Sequence, residues 1–108
     1  MVKEEIFATI ADALRRLFGE RLVSVKVFGS YAGGEETPDS DVDILVVLEA
    51  APEGTVEAAA RARAALELPV PVDVLVRTPR QLEERLALGD DFFGDIESDG
   101  LEILEAAG

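Results

Sequence analysis

Phe28-Gly29-Ser30-Tyr31-Ala32-Gly33-Gly34, then Ser40-Asp41-Val42-Asp43-Ile44-Leu45-Val46-Val47-Leu48, is the stretch on which the fold turns. Val42 to Leu48 is an almost unbroken apolar, β-branched run, which predicts a central strand covered on both faces. Gly29 to Ser40 shows no periodicity and holds Gly29, Gly33, Gly34 and Pro38 with Glu35, Glu36 and Asp39. That composition predicts a loop with a short helical turn from Ser30. Upstream, Arg21 to Phe28 alternates, with Ser24 and Lys26 between Leu22, Val23, Val25, Val27 and Phe28, and predicts a second strand.

Further outward the period changes. Ile6, Ile10, Leu14, Leu17 and Phe18 recur at three and four, which predicts an amphipathic helix over 2–18, stopped by Gly19. Pro52 to Leu68 is Ala- and Glu-rich and predicts a second helix with Pro52 in its first turn. Its stretch Glu57–Leu66 reads as a packing helix, with a dimer face as the alternative. Val70 to Val76 predicts a strand. Thr78-Pro79 predicts an N-cap and first helical residue for a helix to Leu88, before Gly89. Asp91–Ser98 reads as a short helix and Leu101–Leu104 as a short strand or helix. The order predicts an α+β fold, a mixed β-sheet with helices packed on it, in a single domain over 1–108.

Composition narrows the chemistry. The 108 residues are 48% apolar and contain neither cysteine nor histidine. Disulfides, thiolate zinc sites, Ser-His-Asp triads and histidine bases are therefore excluded. Catalysis must run on carboxylates, hydroxyls, Lys, Arg, backbone amides and bound ions. The formal charge of −13 argues against a long nucleic acid as partner, though one nucleoside triphosphate can be accommodated beside a divalent ion. No apolar run reaches the roughly 18–20 residues of a membrane span, so the expectation is a cytoplasmic protein without a membrane partner.

Asp41 and Asp43 stand two apart at the start of a strand, so both carboxylates point to one side and Val42 to the other. Carboxylates held within a few Å of each other repel, and a hard divalent ion between them offsets that cost. Asp73 interrupts the apolar run Pro71-Val72-Asp73-Val74-Leu75-Val76, where a buried carboxylate is costly without a cation. If its strand neighbours that of Asp43, three carboxylates share a face and suit two divalent ions about 3.5–4 Å apart. Gly29 allows a backbone to approach a phosphate, and Ser30 offers a hydroxyl and a helix start. Blander readings exist for each residue: solvated aspartates at a strand entrance, an edge-strand charge at Asp73, a capping role for Ser30, packing for Tyr31, and core for Phe92-Phe93 with a partner patch as alternative. A calcium loop starting at Asp39 fails, because its sixth and twelfth positions fall on Ile44 and Ala50.

Gly29-Ser30-Tyr31-Ala32-Gly33-Gly34, Ser40-Asp41-Val42-Asp43-Ile44 and Asp73 together resemble the nucleotidyltransferase (polymerase β palm-like) superfamily, in particular its minimal, HEPN-associated antitoxin branch. Ile96-Glu97-Ser98-Asp99-Gly100-Leu101 is similar to that family's closing segment. The resemblance implies catalytic and metal-binding roles for Asp41, Asp43 and Asp73, and phosphate contacts from Gly29 and Ser30. It implies two Mg²⁺ ions, ATP or another nucleoside triphosphate as donor, and transfer of AMP to a tyrosine of a HEPN-domain toxin partner. Many members carry Arg or Lys where this chain has Gly33, with Lys26 or Arg77 as candidate replacements. That difference leaves open a second reading, an antitoxin or regulatory subunit that acts by occupying its partner. Transfer to a small molecule, with a homo-oligomer or partner supplying the substrate domain, is a third.

Overall fold

The computed structural model describes residues 1–105, in the order α1 (Lys3–Phe18), β1 (Leu22–Phe28), α2 (Ser30–Gly33), β2 (Val42–Leu48), α3 (Thr55–Ala65), β3 (Val72–Arg77), α4 (Pro79–Ala87), α5 (Asp91–Asp99) and β4 (Leu101–Glu105). A 3-10 turn, Gly19–Arg21, joins α1 to β1. The strands form one sheet in the order β3-β2-β1-β4. β2 runs parallel to β3, and β1 runs antiparallel to both β2 and β4, so the sheet is mixed. The Leu101 segment is therefore a strand, of the two forms its sequence allowed.

The strand alternation sorts side chains into two layers. On one face Val25 and Val27 of β1, Val42, Ile44, Val46 and Leu48 of β2, and Val74 and Val76 of β3 join the stripe Ile6-Ile10-Leu14-Phe18 of α1 and Ala58, Ala59 and Ala62 of α3 in the main core. The alanines let α3 lie close to β3 and α1. On the other face Leu45 and Val47 of β2 pack with Phe93 and Ile96 of α5, joined by Leu75 and Leu82. This second layer is thin: α4 buries no residue fully. It covers the middle of the sheet and leaves the ends holding Asp43 and Asp73 reachable from solvent.

Helix α3 is shorter than the Ala/Glu pattern predicts. Gly54 stands at φ 92°, and Pro52-Glu53 form a turn closed by Gly54 N donating to Ala51 O at 2.9 Å. Glu53 is drawn out of the helix by Arg21 and Arg61, at 2.7 and 2.9 Å. At the other end Leu66 is extended and, with Leu68 and Val70, packs on the core. By contrast, Thr78 caps α4 as its sequence predicts: Gln81 N donates to Thr78 Oγ1 at 3.3 Å and Thr78 N to Gln81 Oε1 at 2.9 Å.

Candidate functional site

Gly29, where β1 ends, holds φ 71°, ψ −150° and turns the chain into α2. A side chain there would be strained, and a Cβ would collide with Asp43 Oδ2. The missing side chain is thus what lets the turn and the Asp43 carboxylate share one place. The turn is held from below. Tyr31 is buried and meets Phe7 of α1 edge-on, with ring centroids 6.5 Å apart. Lys3 Nζ donates to Glu36 Oε1 at 2.9 Å, tying the following loop to the start of α1. Thr37 N donates to Ser40 Oγ at 2.8 Å, and this turn delivers Asp41 to the mouth of β2. Glu36 is held below its ordinary carboxylate range, first by the hydrogen bond from Lys3.

Parallel pairing of β2 with β3 puts Asp43 directly beside Asp73. Antiparallel pairing puts Phe28 on Asp43's other side. Asp43 is half-buried, whereas Asp41 and Asp73 are exposed. Asp73 therefore avoids the burial cost that its apolar neighbours suggest, because β3 is an edge strand. Burial pushes the Asp43 carboxyl above its ordinary value, helped by the charge of Asp73, a hydrogen bond to it, and the charge of Asp41. Asp43 thus feels both neighbouring carboxylates, Asp73 more than Asp41, where it stands against Gly29. Among the described residues, however, no three carboxylates are drawn together tightly enough to cage an ion unaided. An all-oxygen set of paired carboxylates fits Mg²⁺, which takes one or two protein carboxylates and completes its shell with substrate phosphates and water.

Neither candidate cation stands at the Gly29 turn. Lys26 pairs with Leu45, farther up β1, and borders an apolar cavity of about 260 Å³ between the sheet and α4–α5. Arg77 pairs with Val47, four residues along β3 from Asp73, or about 13 Å at strand rise. Its guanidinium lies 5.6 Å from the Phe93 ring centroid.

A cleft of about 250 Å³ opens on the turn, lined by Phe28, Gly29, Ala32 and Gly33 and by Phe92, Asp95, Ile96, Asp99 and Gly100. Asp95 was not among the residues the sequence singled out, and Asp99 entered only within the closing segment that starts at Ile96. Their helical spacing with Phe92, three and then four, was legible; their position across from Gly33 depends on long-range packing.

The nucleotidyltransferase domain family model matches residues 8–98. A protein adenylyltransferase, MntA of Thermococcus cleftensis, is 49% identical over 49 residues, covering 45% of this chain and 48% of that protein. A relative from Methanocaldococcus jannaschii is 38% identical over 47 residues, covering 44% and 47%. The match thus spans about half the length of these curated relatives. Among solved structures, a Sulfolobus solfataricus protein superposes with a TM-score of 0.62 at 18% identity, over 95% of this chain and 83% of that one. A toxin–antitoxin structure with AMP-PNP gives 0.56 at 19% identity, over 97% and 75%. These structural likenesses show the fold. With the glycine-serine turn set against Asp43, and the family model running from α1 into α5, the chain belongs to the nucleotidyltransferase domain family.

Proposed function

We propose that this protein transfers a nucleoside monophosphate, AMP from ATP, to a hydroxyl of a partner protein. The observation that carries the reading is the seating of Gly29, just before Ser30, against Asp43, with Asp73 in register beside it. The names of the curated relatives support a protein acceptor, and the AMP-PNP of a fold neighbour supports a nucleoside triphosphate donor.

Asp41, Asp43 and Asp73 would hold Mg²⁺, two ions in the full reading. Bound there, the ions would polarise the phosphates and offset charge on the attacking and leaving oxygens. The protein's own residues do the rest. Ser30 and the Gly29 turn contact the phosphates. Asp73, exposed on the edge strand, accepts the proton of the acceptor hydroxyl. The hydroxyl oxygen then bonds the α-phosphorus while the bond from that phosphorus to the bridging oxygen breaks, and pyrophosphate leaves. The product is a phosphodiester on the acceptor. A tyrosine of a HEPN-domain toxin is the acceptor we infer from the family resemblance.

The test is incubation with α-labelled ATP, Mg²⁺ and a HEPN-domain partner. Label on a partner tyrosine, lost with Asp43→Asn, is the expected result. An unlabelled partner with a folded enzyme overturns the activity. The second reading, neutralisation by occupancy, draws on the cation-free cleft lining at Gly33. It predicts that an Asp41→Asn, Asp43→Asn double variant still neutralises.

A further inference from the structure

The cavity of about 260 Å³ between the sheet and α4–α5 carries groups that the fold leaves unused. Its walls are apolar: Leu45 and Val47 of β2, Leu82 of α4, and Phe93 and Ile96 of α5. Pro79, Leu82 and Leu86 of α4 line it at spacings of three and four, yet none of them is fully buried. A helix with one apolar stripe ordinarily buries it, so this space is incompletely filled. Ser24 and Lys26 stand two apart on β1, hence on one sheet face, and form the floor.

Ser24 is only 9% exposed. Its hydroxyl makes no hydrogen bond to any described residue, and it opens into the cavity. A buried hydroxyl without a partner is costly unless the contents of the cavity supply one. Glu83 of α4 and Glu97 of α5 complete the lining, both exposed at the rim. Among the described residues, Lys26, Glu83 and Glu97 form no ion pair within 4 Å, with each other or with anything else.

Size and charge then select the occupant. An apolar cavity of about 150 Å³ takes benzene, so this one has room for a benzyl or isobutyl group and a polar end. The ammonium and hydroxyl on the floor suit a carboxylate, which accepts from both. The two carboxylates at the rim suit an ammonium and disfavour a ligand that is only anionic. The complement of the whole set is a zwitterion with an apolar side chain. We propose that the cavity binds a free apolar α-amino acid, its carboxylate towards Lys26 and Ser24, its ammonium towards Glu83 and Glu97, and its side chain between Leu82 and Phe93. None of Gly29, Asp41, Asp43 and Asp73 lines this cavity, so the site stands independently of the donor-site reading.

The test is an amide NMR titration of the full chain with L-phenylalanine. Three comparison ligands each lack one feature: phenylpropanoate the ammonium, phenethylamine the carboxylate, and glycine the apolar side chain. L-phenylalanine is expected to shift the amides of Ser24, Lys26, Leu45 and Val47. It is expected to bind at least about tenfold more tightly than each of the three, the scale of one charge-assisted contact or one buried apolar group. Lys26→Met keeps the aliphatic stem and is expected to weaken binding about tenfold. Ser24→Leu fills the floor and is expected to abolish it. Circular dichroism verifies the fold of both variants, and the ligand series on the native chain decides the matter if either misfolds. No shift of those amides at millimolar L-phenylalanine, equal affinity for phenylpropanoate or phenethylamine, or undiminished binding by folded Lys26→Met overturns the proposal.

Discussion

Gly29 and Asp43 depend on each other, and substitutions at the two should fail in different ways. Gly29→Ala places a Cβ at φ 71° and against the Asp43 carboxylate. The backbone strain alone costs about 1–3 kcal/mol, so urea unfolding should show a loss of that size together with lost transfer. Asp43→Asn acts oppositely on stability. It removes a carboxyl that burial and Asp73 already push towards its neutral form, so the metal-free thermal midpoint should hold or rise. Transfer of label should nevertheless fall by roughly a hundredfold or more, as for other groups that stabilise transition-state charge. A parallel fall in both quantities would make Asp43 a structural residue.

Elements were legible wherever a local signal decided them. The α1 stripe was readable because its burial follows its own period: Ile10 and Leu14 are fully buried. Leu14→Ala should cost about 3 kcal/mol in chemical denaturation. The Thr78–Gln81 cap was equally local, and Thr78→Ala should cost about 1 kcal/mol. The start of α3 was not readable, because Glu53 leaves the helical pattern to meet Arg21, thirty-two residues earlier. Asp73 illustrates the same limit at the site. Its type signalled chemistry, but only the parallel register of β3 on β2 sets it beside Asp43. The cleft was hidden for that reason too, since no local pattern relates Gly33 to Asp95.

Across the whole molecule, a net charge of −13 means that folding compacts like charges. Monovalent salt should raise the thermal midpoint by screening them, and a flat or falling dependence would contradict this. Glu53 adds a pH-dependent tie between the Gly19–Arg21 turn and α3. Arg21 donates to both its oxygens, at 2.7 and 2.9 Å, and Arg61 donates at 2.9 Å. The hydrogen bonds from Arg21 are the main cause that lowers its pKa from 4.5 to about 2. A depressed carboxylate stabilises the fold above its unfolded value and loses that contribution as pH falls through the folded one. Stability should therefore decline between about pH 4.5 and about 2, and Glu53→Gln should flatten that slope. The central claim is that the glycine-serine turn and the paired aspartates form one metal–triphosphate site. Anomalous scattering from Mn²⁺ in crystals grown with AMP-PNP tests it most directly. The account predicts manganese touching Asp43 and Asp73, with the phosphates on Ser30. Manganese and nucleotide bound elsewhere, with Asp43 and Asp73 uncoordinated, would contradict it.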